Sequence, residues 1–167
     1  MTYANLVDLV KSNQGKLILD VTTIEVGRET KKRFAGIGHG FTWTKKMRGS
    51  YNGTLAVELE TTATGRTSQK NLLGLPFGFV WAKEMHGHLD ELEFDLTATK
   101  VVKKRRKGLL AAGYGYAWAE QMSGEIGPHL RLRFTTTEVS REPQSRFAAN
   151  SSGLAWSNKA ELVITLN

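Results

Sequence analysis

The sequence predicts an all-β protein: an antiparallel up-and-down meander that closes into a barrel of about eight strands, preceded by a short N-terminal α-helix. The first ground is an internal repeat. Gly40-Phe41-Thr42-Trp43, Gly78-Phe79-Val80-Trp81, Gly115-Tyr116-Ala117-Trp118 and Gly153-Leu154-Ala155-Trp156 are four copies of one pattern, with tryptophans 38, 37 and 38 residues apart. A fixed period of this length marks a repeated supersecondary unit. The second ground is a hydrophobic period of two from Lys16 onward, which is that of a half-buried strand. The third is that no segment is long enough for a crossover helix, so successive strands must run antiparallel.

Residues 2–12 read as an amphipathic helix. Thr2 can cap it, and Tyr3, Leu6, Val7 and Val10 follow the i, i+3, i+4, i+7 rule, with Asn13 and Gly15 to stop it. Residues 16–167 then form the repeat barrel, and the whole of 1–167 is one domain, large enough to bury a core.

Two strand types alternate. One carries a leucine-rich face: Leu17-Leu19-Val21, Leu55-Val57-Leu59, Leu92-Phe94-Leu96, Leu130-Leu132-Phe134 and Leu162-Ile164-Leu166. Asp20, Glu58, Glu60, Glu93, Asp95, Arg131 and Arg133 lie between those apolar positions, so one face is buried and the other wet. The other type leads into each tryptophan, with one bulky face and one face of small residues such as Gly36, Gly38 and Gly40. Repeated glycine in a strand indicates curvature or close approach by another backbone. Pro76 lacks an N–H and suggests a bulge or a local edge.

Five leucine-type and four tryptophan-type strands make nine, and an odd number cannot close antiparallel. The segment Ala160–Asn167 is therefore expected to share a place with the first strand or to be exchanged with a second copy of the chain. A trefoil, a prism or a small propeller would suit four short strands per period better than two long ones.

Alternation sorts the connections between two poles. Met47, Met85 and Met122 are expected in the connections that follow the tryptophans, at the pole that also receives the helix, where they and the tryptophans form an apolar plug. An aromatic cage or sugar platform is the rival reading of the four tryptophans. Tyr51-Asn52-Gly53-Thr54 is a hairpin turn signal.

The opposite connections are basic. They hold Arg28, Lys31, Lys32 and Arg33; Arg66 and Lys70; Lys100 with the unbroken run Lys103, Lys104, Arg105, Arg106 and Lys107; and Arg141 and Arg146. These are 14 of the 23 basic residues, and only Glu25, Glu29, Glu138 and Glu142 oppose them. The chain as a whole carries a net charge of +7 and a pI near 9.7. On a meander, four separate turns become one positive rim, which attracts anions and holds phosphates without reading bases. Taken one turn at a time, such residues merely keep hairpin tips soluble.

The function expected from these features is that of a non-enzymatic binding or assembly module. Its basic pole would engage a polyanion, nucleic acid first among them. A small-molecule carrier or barrel enzyme is the alternative, with a ligand site in the mouth lined by His39, Thr61 and Glu138. Thr23, Thr136 and Glu25 are expected to project inward at similar depth. A third alternative is a self-associating, lectin-like or membrane-active barrel, and a homo-oligomer fits it. His86-Gly87-His88 beside Asp90 and Glu91 invites a metal reading with His129 as third ligand, but reads better as an exposed loop, so no metal or cofactor is expected.

The absence of cysteine excludes disulfides, thiolate catalysis and thiolate zinc sites. Gly36-Ile37-Gly38-His39-Gly40 lacks the spacing of a phosphate-binding fingerprint, and there is no Walker motif, G-x-S-x-G elbow or EF-hand loop. The first residues carry no basic and apolar leader, and no apolar run could span a membrane as a helix, which predicts a cytoplasmic protein, with leaderless export as the alternative.

Overall fold

The computed structural model describes the backbone of residues 1–32, 39–70, 76–105, 116–143 and 153–167, and the side chains of residues 1–27, 44–65, 82–101, 120–139 and 158–167. Helix α1 (Tyr3–Ser12) is followed by eight strands: β1 (Lys16–Lys32), β2 (His39–Tyr51), β3 (Leu55–Lys70), β4 (Pro76–Leu89), β5 (Leu92–Arg105), β6 (Tyr116–Ile126), β7 (Leu130–Pro143) and β8 (Gly153–Leu166). Each strand pairs antiparallel with its neighbours in sequence, and β8 pairs with β1 to close the barrel. Closure leaves no edge for another chain to extend.

The expected ninth strand is the second half of β8. The chain continues as one strand from Trp156 through Leu162 and Ile164, with Asn158 as an extra residue, and pairs Leu17 with Ile164 on one side and Leu132 with Ile164 on the other. Ser157-Asn158-Lys159-Ala160 contains neither glycine nor proline, so nothing there turns the chain. Within the one chain, β1 and this segment are neighbours rather than competitors for one place.

The methionines also sit differently from expectation. Met47, Met85 and Met122 lie inside β2, β4 and β6 rather than in connections, and all three are buried. The true turns come four or more residues later. Asn52 and Gly53, both at positive φ, are the central residues of one of them, a three-residue connection in which the Thr54 N–H donates to the Tyr51 carbonyl at 3.0 Å. Gly49 and Gly124, each two residues after a methionine, have a separate task. A Cβ at either would strike a backbone carbonyl oxygen on the neighbouring strand, that of Asp20 or Asp95. Glycine is what lets these strands cross so closely.

The half of the barrel nearest α1 is filled. Leu17, Leu19, Leu55, Leu59, Leu89, Leu96, Leu130, Leu132, Phe134, Leu162 and Ile164 are buried with the methionines. Each such side chain contributes about 1.5–3 kcal/mol relative to exposure. The helix closes this end: Leu6 and Val10 are fully buried, and Thr2 caps the first turn by accepting from the Asn5 N–H at 3.3 Å. Polar contacts tie it to the turns. The Tyr3 hydroxyl accepts from the His129 N–H at 2.9 Å, the Tyr51 hydroxyl donates to Asn13 Oδ1 at 2.8 Å, and the N-terminal ammonium lies 3.5 Å from Asp90.

Each odd strand breaks register once. The shifts fall between Thr23 and Glu25, Thr61 and Ala63, Ala98 and Lys100, and Thr136 and Glu138. The extra residues are Ile24, Thr62, Thr99 and Thr137, which recur at the spacing of the tryptophans. A β-bulge adds one residue and reverses the inward-outward alternation beyond it. These four bulges separate the apolar half of the barrel from the half that leads to the basic pole.

Candidate functional site

The strand ends define the basic pole. β1, β3, β5 and β7 all finish at the end of the barrel opposite α1, because a closed meander sends every second connection to the same side. Beyond the bulges those strands carry Arg28, Lys31 and Lys32; Arg66 and Lys70; Lys103, Lys104 and Arg105; and Arg141. The backbone thus gathers nine of the thirteen expected anion-binding residues at one pole. Their side chains lie outside the described residues, as do Arg33, Arg106, Lys107 and Arg146 altogether.

Of the three residues expected to line a mouth, the side chains of Thr61 and Glu138 are described, and Thr61 is the buried one. Its hydroxyl accepts from the Lys45 N–H at 3.1 Å and donates to the Lys45 carbonyl at 3.2 Å, so its visible task is to hold β2 to β3 at the bulge. Glu138 differs from expectation, and Glu25 with it. The bulges at Thr137 and Ile24 reverse the alternation, leaving both glutamates exposed. Glu138 meets Lys159 across β7 and β8 at 2.9 Å and accepts from Asn158 Nδ2 at 2.9 Å. The hydrogen bond from Lys159, and next that from Asn158, lowers the Glu138 pKa below its ordinary value, and the same bond raises that of Lys159. His39 opens β2 opposite Lys32, and its side chain lies outside the described residues, as do those of the four tryptophans.

Beneath the pole lies a charged layer absent from the sequence-based expectations. Lys45 of β2 and Glu120 of β6 point into the barrel and form an ion pair there, both almost fully buried. The second Glu120 oxygen accepts from the Ala82 N–H of β4 at 2.8 Å. Ala82 pairs with Thr64 of β3, Lys83 beside it is an extra residue in β4, and the pairing of β4 with β5 begins only at Glu84. The Glu120 N–H in turn donates to the Thr136 hydroxyl at 3.0 Å, the counterpart of the Lys45–Thr61 bond. The Lys45 ammonium also stands 5.6 Å from the centre of the Phe134 ring.

The sequence did hold a signal for this layer. Trp43, Lys45 and Met47 are alternate residues of one unbroken stretch, as are Trp118, Glu120 and Met122. Extending the period of two past Trp43 and Trp118 puts the charge on the face of the buried methionine, whereas Lys83, at the same place after Trp81, is the extra residue of β4 and is exposed. Treating the tryptophan as the strand end concealed it.

No protein-family model, curated protein or solved structure matches the chain. Among the described residues, no helix is long and apolar enough to cross a membrane.

Proposed function

We propose that this barrel is a non-enzymatic polyanion-binding module whose basic pole engages phosphate groups, with nucleic acid the leading class of partner. One observation carries the reading. The closed meander brings the ends of β1, β3, β5 and β7 to a single pole, and those ends hold lysine and arginine where the opposite pole holds a helix and tight turns. A field of one sign focused on one end of a molecule attracts polyanions over a distance of about a Debye length, near 8–10 Å at physiological salt. The interior Lys45–Glu120 pair is neutral overall and leaves that field to the rim. Contact through phosphates would give affinity with little sequence preference.

Retention on immobilised heparin tests the reading. The wild-type chain is expected to bind at low salt and elute as salt rises. A variant with Lys103, Lys104, Arg105, Arg106 and Lys107 all changed to Gln is expected to elute much earlier. Equal retention of the two proteins would contradict it.

A further inference from the structure

The outer wall near the helix carries a second cluster of functional groups, unrelated to the basic pole. His86 and His88 are alternate residues of β4 and therefore share one face. Register places Asp95 of β5 directly opposite His86, and Glu93 opposite His88. One ring nitrogen each from His86 and His88 and one carboxylate oxygen of Glu93 all lie within 4.8 Å of one another. The two rings meet edge to face, 4.8 Å between centroids.

The hydrogen bonding favours coordination. His86 Nδ1 is 2.8 Å from Asp95 Oδ1, so a proton on Nδ1 is held by the carboxylate and the lone pair of Nε2 is left free. A carboxylate that orients an imidazole in this way is the usual outer partner of a histidine ligand. His88 Nδ1 lies 4.0 Å from Glu93 Oε1. Two basic residues elsewhere on the wall have other partners: Arg48 pairs with Glu58 and Lys46 with Glu60. Among the described residues, the side chains that face Asp95 and Glu93 across the ladder are the two histidines.

We propose that His86, His88 and Glu93 form a binding site for a borderline divalent transition-metal ion, zinc being the representative, with Asp95 as the positioning residue for His86. Two imidazoles and one carboxylate match the donor preference of zinc and its neighbours rather than that of calcium or magnesium, which take oxygen. Tetrahedral coordination needs ligand atoms about 3.3 Å apart. The side chains are partly or largely exposed, so rotamer changes alone can close the remaining distance. Three protein ligands leave a fourth position for water or for a group from a partner.

Untagged protein titrated with zinc chloride by calorimetry, together with NMR of the histidine rings, tests the site. The expected result is saturable binding of a single zinc ion that shifts the rings of His86 and His88. His88→Ala and Glu93→Gln are expected to weaken binding by about tenfold or more, and Asp95→Asn by about 10–100-fold, while His129→Ala leaves it unchanged. All four residues are solvent-accessible, so circular dichroism of each variant should match the wild type. Absence of saturable binding, shifts confined to His39 or His129, or undiminished affinity in the His86→Ala/His88→Ala double variant would each overturn the proposal.

Discussion

Lys45 and Glu120, seventy-five residues apart in sequence, meet as a buried ion pair between strands that stand on opposite sides of the eight-stranded barrel. The contact braces the barrel from inside, at the boundary between the apolar half and the half that carries the basic pole. Removing one member of such a pair strands a charge in a poorly solvated interior, which costs about 3–5 kcal/mol. Lys45→Met is therefore expected to destabilise strongly in chemical denaturation. Combining it with Glu120→Gln should recover a large part of the loss, because the amide oxygen still accepts from the Ala82 N–H and no charge remains. A double variant no more stable than Lys45→Met would show that the pair is not the source of the cost.

The paired threonines beneath the bulges make a second prediction. Thr61 and Thr136 each accept a backbone N–H from the charged layer, at 3.1 and 3.0 Å. Valine keeps the shape and leaves a buried N–H without that acceptor, which costs about 1–3 kcal/mol. Thr61→Val and Thr136→Val should both fall in that range, and Thr137→Val, on the exposed bulge residue, should be close to neutral. Equilibrium urea unfolding of the three variants provides the comparison.

Close strand crossing gives a third. Gly49→Ala and Gly124→Ala each drive a methyl group into a backbone carbonyl oxygen, which cannot rotate away. Overpacking of this kind costs about 1–3 kcal/mol. Both variants should melt at lower temperature than the wild type, and wild-type melting in both would remove the close-approach explanation of the repeated Met-x-Gly.

The pair on the outer wall predicts a pH dependence. The native pKa of Glu138 lies below 4.5 because of its hydrogen bond with Lys159, then that with Asn158. A depressed carboxyl contributes stability that is present above its unfolded pKa and lost as pH falls through the native value. The raised Lys159 contributes below 10.5, and its share disappears as pH climbs through the elevated native value. Both groups are exposed, so the effect is small. Lys159→Met should return the Glu138 titration, followed by carboxyl NMR, toward 4.5. An unchanged titration would mean that Lys159 does not set it.

Much of this architecture was legible because alternation and repeat period are properties of the chain itself. The capping helix, the meander and the burial of Met47, Met85 and Met122 follow from where apolar residues recur. Bulges were not legible. Thr62 and Thr137 look like ordinary outward strand residues, yet as extra residues they turn Glu138 and its counterparts to the other face. The ion pair was hidden for a different reason. The first of two lysines after Trp43 and a single glutamate after Trp118 read as loop residues until a closed barrel sets them face to face. The proposed metal site required register as well, since His86 and His88 find their carboxylates on β5 rather than at the adjacent Asp90 and Glu91.

The salt dependence of binding to a fluorescent DNA duplex tests the basic pole most directly. Each phosphate contact contributes about 0.9 to the slope of log affinity against log salt. The wild-type chain should bind with a steep slope. Neutralising Lys103 through Lys107 should flatten that slope, and Arg131→Gln/Arg133→Gln on the outer wall near the helix should leave it unchanged. Binding that ignores salt, or that survives loss of the basic run but not loss of Arg131 and Arg133, would contradict a polyanion site at this pole.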